Sequence, residues 1–243
     1  MCTAAFRLKW LTLLFLLSSL SADSFMLPPQ VIIGRDLVEQ IQPSDNSYRQ
    51  RRRVMRWQHP DGSGKYVCHS DCVGFIDSLL MHSYGLNRFQ FWHMINRERP
   101  TARYMEQAIA AGRGFDTITT IQDARPGDII AVAFPLGLKA NGHVMMIDDY
   151  PKRRESTPAI IDDTIQWAVR IIDCTGVGHG TDDTRYIGRE NGRAQFNSGA
   201  GIGTIRIYTD SQGHEVAYSW SLSPDSVVRK STTHPLAIGR FSM

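Results

Sequence analysis

Hydrophobic and polar positions change period twice along the chain. Trp10 to Leu20 is a nearly unbroken apolar run. From Cys72 onward, Phe75, Ile76, Leu79 and Leu80 recur at the spacing of an amphipathic helix, and Gly85 follows Tyr84 as a stop signal. Asp71 precedes that stretch as an N-cap. Cys72 shares the apolar stripe, so its thiol is expected at the start of a helix whose body lies in the core. Helix N-termini favour anions, the reactive thiolate among them; a small buried apolar cysteine is the competing reading. Helical patterns also cover Arg88 to Ile95 and Ala102 to Ala111, and a short helix is expected near Arg35 to Gln42.

From Arg125 alternation replaces helical spacing. Strands are expected over 128–134, 143–148, 166–174, 204–208 and 215–221, the last two joined by the turn Asp210-Ser211-Gln212-Gly213. Pro151 to Asp163 reads as a surface loop and Thr175 to Gly203 as a polar, glycine-rich segment. Helices followed by an antiparallel sheet predict an α+β fold.

The first residues change the picture of where the protein works. Arg7 and Lys9 precede the apolar run, and Ser19, Ser21 and Ala22 follow it, the pattern of a signal peptide over residues 1–22. The run is shorter than the about 20 residues of a membrane span. The protein is therefore expected to be periplasmic or secreted, with no stable membrane span after signal removal. Residues 23–56 read as an N-terminal extension, 57–225 as the main domain and 226–243 as a C-terminal tail. Without residues 1–22, Cys68, Cys72 and Cys174 remain. If Cys72 is the working thiol, Cys68 and Cys174 either pair or both stay reduced.

Losing Arg7 and Lys9 lowers the formal charge from +3 to +1, which gives no reason to expect a nucleic-acid partner. The cluster Arg49, Arg51, Arg52, Arg53 and Arg56 is the exception; it reads as a solvated basic stretch, with an anionic polymer or membrane surface as the alternative.

His143 begins one expected strand and Asp173 ends the next. If those strands are antiparallel neighbours, the two side chains meet at one edge of the sheet. His143, Met145 and Ile147 alternate on one face, as do Val169, Ile171 and Asp173. A helix packed on that face would add Cys72. Thiol, imidazole and carboxylate together form the set that attacks an amide, protonates its leaving amine and orients the imidazole. His179 is an alternative third member, a substrate contact or a loop residue. His143, Asp173, Cys174, His179 and Asp182 can all ligate metals, but no close ligand pair is present, so neither metal nor cofactor is expected. Gly199 to Gly203 precedes a strand rather than a helix and is not read as a nucleotide loop.

Three ordered blocks carry a family resemblance. Asp71-Cys72-Val73-Gly74-Phe75-Ile76, Arg125-Pro126-Gly127-Asp128-Ile129-Ile130 and Gly142-His143-Val144-Met145-Met146-Ile147 resemble those of NlpC-like cysteine peptidases. The resemblance runs from about Trp57 to Leu222. It implies a papain-like fold, with the cysteine-bearing helix packed on the C-terminal sheet, and cleavage of peptide stems in bacterial cell wall. It makes Cys72 the nucleophile, His143 the base and Asp173 the orienting group, where histidine is commoner in the family. The residue after the cysteine is usually serine and here is Val73. Asp71 retains the position that helps hold a substrate amine. Tyr66 is the nearest match, at a short spacing, to a tyrosine that assists the oxyanion, and the Cys72 N–H is a further donor. Asp71, Tyr66 and His179 are thus the expected substrate contacts. The expected function is an exported cysteine hydrolase acting on a cell-wall peptide or related amide. An amidase or acyltransferase on a lipid or small amide, and a non-catalytic wall-binding module, are the alternatives.

Overall fold

The computed structural model describes residues 26–59 and 61–243. The expected signal segment lies outside the described residues. Four helices, α1 Pro29–Gln40, α2 Cys72–Ser83, α3 Arg88–Ile95 and α4 Ala102–Ala110, lie in the first half of the chain. Three short strands, β1 Asn46–Tyr48, β2 Val54–Arg56 and β3 Val67–Ser70, form a small sheet with β3 in the middle, parallel to β1 and antiparallel to β2.

The second half builds an antiparallel sheet of nine strands. These are β4 Phe115–Ile118, β5 Ile129–Ala133, β6 Gly142–Ile147, β7 Lys152–Arg154, β8 Ile165–Thr175, β11 Gly199–Thr209, β12 Glu215–Ser219, β13 Arg229–Lys230 and β14 Leu236–Phe241. Their order is β13-β12-β11-β8-β6-β5-β14-β4, with β7 also paired to β8. A separate hairpin, β9 Tyr186–Glu190 and β10 Arg193–Phe196, rises from the glycine-rich segment. The architecture is α+β.

Period-two alternation sorts the sheet residues between two cores. Val144, Met146, Ile172 and Cys174 face the helices and pack with Phe75, Ile76, Leu79 and Leu80 of α2. Met145, Ile147, Val169 and Ile171 face the other way and pack with Ile130, Val132, Ile205 and Ile207. The nucleophile helix was expected on the face shared by His143 and Asp173. It lies instead on the opposite, Val144–Met146 face, because that row supplies the apolar surface its own stripe needs.

Asp71 starts α2, its side chain accepting a hydrogen bond from the Gly74 N–H at 2.8 Å. That cap leaves the N–H groups of Cys72 and Val73 without intrahelical partners. Capping also begins α3 at Asn87, where Gln90 completes a reciprocal pair, and α4 at Thr101.

Both ends of the described chain are more integral than the sequence pattern suggests. Residues 23–56, expected as an extension, contribute α1, whose Val31 and Leu37 are fully buried in the helix-side core, and strands β1 and β2. Residues 226–243, expected as a tail, contribute β13 and β14. β14 lies between β5 and β4, pairing Ile238 with Ile130 on one side and Ile118 on the other. A strand whose face is set by distant partners carries too few residues for alternation to announce it. Ile238→Ala is expected to lower stability by about 2–5 kcal/mol, as for other buried large-to-small changes. Urea unfolding measures this; a loss within experimental error would mean the strand is dispensable.

Candidate active site

Cys72, His143 and Asp173 come together where the helix layer meets the sheet. Hydrogen-bonded pairing between β6 and β8 ends at Met146 opposite Ile172, so His143 and Asp173 lie past the last paired residues. The imidazole fills that opening. Its Nε2 lies 2.5 Å from Asp173 Oδ2, which leaves Nδ1 as the ring nitrogen for the sulfur. Burial opposes a charge on His143, but the Cys72 thiolate beside it and hydrogen bonds to Asp173 and Cys72 raise the imidazole to about 10. Cys72, His143 and Asp173, the three residues singled out in the sequence, are thus neighbours.

Asp173 is fully buried and surrounded by two imidazoles and a guanidinium. His179 Nε2 shares Oδ2 at 2.9 Å, and the Arg185 guanidinium lies 2.9 Å from Oδ1. Burial pushes the carboxyl up, while Arg185, His179 and His143 more than offset this and hold it well below the usual carboxylate range. His179 is therefore a partner of Asp173 and not its replacement. Its Nδ1 faces the Trp220 carbonyl at 2.9 Å and its backbone N–H donates to Asp183 at 2.8 Å. Both of its ring nitrogens therefore lie against acceptors. The glycine-flanked loop is thus pinned at three points.

Arg185 and Asp183 were not anticipated from the sequence. Asp183 accepts from Arg185 Nε at 2.8 Å and Nη2 at 2.7 Å, and Arg185 Nη1 donates to the Gly199 carbonyl at 2.9 Å. Burial disfavours the Arg185 charge, but Asp173 and Asp183 raise its affinity for the proton. The glycines of β11 explain how so many polar groups fit. A Cβ on Gly201 would stand 2.5 Å from Arg185 Nε, and one on Gly203 would stand 2.5 Å from an Asp183 carboxylate oxygen. The run from Gly199 to Gly203 is therefore the bare floor on which this network lies.

Tyr66 falls outside the site. Its hydroxyl donates to Asp36 of α1, and burial together with that carboxylate pushes it up to about 12. The tyrosine beside Cys72 is Tyr48. Parallel pairing sets Tyr48 opposite Ser70, two residues before Cys72. Burial and the nearby Cys72 charge raise the Tyr48 hydroxyl, keeping it a neutral donor at neutral pH. Nothing in the local pattern marks β1, a three-residue strand between a proline turn and an arginine run. Cys68 and Cys174 are free thiols with sulfurs 3.9 Å apart, and Cys174 also donates to the Ser70 carbonyl.

Two clefts flank the reacting groups and share Tyr48, Ala140 and Gly142. One, about 310 Å3, is lined by His143, His179 and the apolar Phe134, Val177 and Trp220. The other, about 290 Å3, is lined by Cys72, Asp71 and the basic Arg53, Arg99 and Lys139. A larger cavity of about 520 Å3 lies by the start of α1 and contains none of the triad.

Ligating atoms of His143, Asp173 and His179 lie within 4.8 Å of one another, a set able to hold a metal by residue type. Here the carboxylate is engaged by both rings and by Arg185. A metal ion would be placed against an existing guanidinium, so the donor set fits a hydrogen-bonded relay better than a cation site.

Arg185→Met is expected to cost about 3–5 kcal/mol, because two buried carboxylates lose their cation. A chemical-denaturation midpoint unchanged from wild type would contradict this account of Asp173.

No family model and no solved structure matches the chain. A curated protein of Acanthamoeba polyphaga mimivirus, "Uncharacterized protein R653", is 32% identical over 226 residues, covering 89% of this chain and 97% of the viral one. Similarity at that level, across both helices and sheet, means that the chain belongs to the same family as that mimivirus protein.

Proposed function

We propose that the protein is a papain-like cysteine hydrolase of the NlpC-like kind, exported by its leader-like first residues, that cuts an amide bond. Peptide stems of bacterial cell wall are the substrate class that the three sequence blocks imply. The observation carrying this reading is the convergence of Cys72, His143 and Asp173 at the junction of two clefts.

The Cys72 sulfur attacks the substrate carbonyl as a thiolate, the form that an adjacent imidazolium generally favours. The developing oxyanion faces the Cys72 N–H and the Tyr48 hydroxyl. His143 donates its Nδ1 proton to the leaving amine, giving an acyl-enzyme. It then takes a proton from water, whose oxygen attacks the thioester; the C–S bond breaks, the acid product leaves, and the thiolate is restored beside the imidazolium. Asp173 holds the ring through Nε2 at 2.5 Å, so the other nitrogen stays aimed at the sulfur.

A second reading, an amidase or acyltransferase on a lipid or small amide, is favoured by one feature. The cleft beside His143 is walled by Phe134, Val177 and Trp220, which suit an acyl chain as well as an apolar side chain.

Cys72→Ala is expected to abolish hydrolysis of purified muropeptides while leaving the unfolding midpoint near wild type. Iodoacetamide should label Cys72 ahead of Cys68 and Cys174. Full activity in the variant sinks the enzyme reading, and turnover of acyl amides alone selects the second substrate class. Tyr48→Phe is expected to lower kcat by about 10²-fold, the scale of losing one oxyanion donor. The raised imidazole sets the sign of the alkaline limb. His143 is protonated below about 10 and loses its proton above it, so hydrolysis should decline as pH rises through that value. A profile that keeps climbing there removes His143 as the acid.

A further inference from the structure

The cleft that opens onto Cys72 carries a charge imbalance. Arg53, Arg99 and Lys139 line it, and Asp71 is the acidic residue among its lining groups. Asp71 is already engaged. Its Oδ1 accepts the helix-cap bond from Gly74 and a hydrogen bond from Arg53 Nη1 at 2.9 Å. Arg53 reaches it by lying across the start of α2, where a Cβ on Gly74 would stand 2.8 Å from Arg53 Nη1. Arg53 and Asp71 offset one another, and Arg99 and Lys139 have no ion-pair partner among the described residues. Asp77 of α2 is not among the groups that line the cleft, and burial raises its carboxyl well above its ordinary value.

Arg99 is also held in a rare backbone conformation. Its φ of 46° lies in the left-handed region, immediately before the buried Pro100. Such positions cost energy and persist where surrounding structure enforces them. Here the conformation sets a guanidinium on the cleft wall. The free N–H groups at the start of α2 add partial positive charge on the same side.

These features oppose recognition of a substrate amine through Asp71, the role implied by the sequence blocks. A cationic group entering this cleft would meet two uncompensated cations and a carboxylate already paired. We propose that the cleft is a subsite for an oxyanion, the carboxylate of an acidic peptide, bound by Arg99 and Lys139 within reach of Cys72. Together with the apolar cleft beside His143, this subsite orients the substrate: its anionic group lies on the Cys72 side and its apolar group on the Trp220 side. The inference rests on the hydrolase reading only for its claim that the bound peptide is a substrate.

Binding separates the two claims. Fluorescence anisotropy with full-length Cys72→Ala protein would compare four labelled tripeptides, identical except for glutamate, glutamine, lysine or phosphoserine at one position. The glutamate peptide is expected to bind about tenfold more tightly than the glutamine peptide. The preference should shrink in high salt, as exposed charge pairs do. In Arg99→Gln/Lys139→Gln protein it should vanish, with affinity for the glutamine peptide within about twofold of the parent. Equal binding of glutamate and glutamine peptides, or preference for lysine, overturns the proposal. Tight binding of phosphoserine without a glutamate preference overturns the carboxylate assignment in favour of a phosphate site. A glutamate preference in a protein whose wild type hydrolyses no acidic peptide refutes the hydrolase reading while upholding the anion site.

Discussion

One buried carboxylate governs the architecture around the candidate site. Asp173 has no access to water, so its charge must be met by protein groups. His143, His179 and Arg185 meet it. Each brings a further requirement. Arg185 is itself buried and needs Asp183; His179 needs the Trp220 carbonyl; both must lie close against β11. The segment between β8 and β11 therefore folds inward, and β11 carries glycine at Gly201 and Gly203, where a side chain would strike the network. His179, Asp183 and Arg185 of an otherwise largely exposed polar, glycine-rich stretch are thus part of the interior.

The same carboxylate determines what His143 can do. With Nε2 committed to Asp173, the ring presents Nδ1 toward Cys72. The cysteine-bearing helix α2 packs on the other face of the sheet, through Phe75, Ile76, Val144 and Met146. Sulfur and imidazole meet because β6 and β8 stop pairing at Met146 and Ile172, leaving an open end that both can reach. The seam between helix layer and sheet is also where the chain leaves space. One cleft is walled by aromatic and apolar groups, the other by cations, and Tyr48 stands between them. Such a junction has a direction, with unlike groups on its two sides.

The N-terminal residues play a larger part than their polarity suggests. β1 places Tyr48 next to the nucleophile by pairing with β3, and Asn46 secures that strand to β11 through hydrogen bonds with the backbone of Ala200 at 2.7 and 2.8 Å. Arg53 caps the charge of Asp71. Within the arginine cluster, one member thus has a defined place at the cleft wall.

How much of this was legible beforehand follows from the range of each interaction. The α2 helix, its Asp71 cap and the strands bearing His143 and Asp173 are written in local spacing, because burial on one face imposes a short period on neighbouring residues. The α+β class could be read on that basis, and so could the cysteine, histidine and aspartate that the fold brings together. Tyr48, Arg185, Asp183, the role of His179, and the place of β14 inside the sheet could not. Each depends on a partner far along the chain: Ser70 for Tyr48, Asp173 for Arg185, Ile130 and Ile118 for Ile238. Nor could local pattern say on which face of the sheet α2 would settle. By itself the sequence determined the strongly patterned elements, α2 to α4 and the strands that carry His143 and Asp173. Only tertiary structure decided which charges are buried together and which cleft each reacting atom faces, since desolvation and ion pairing depend on three-dimensional neighbours and leave no period in the chain.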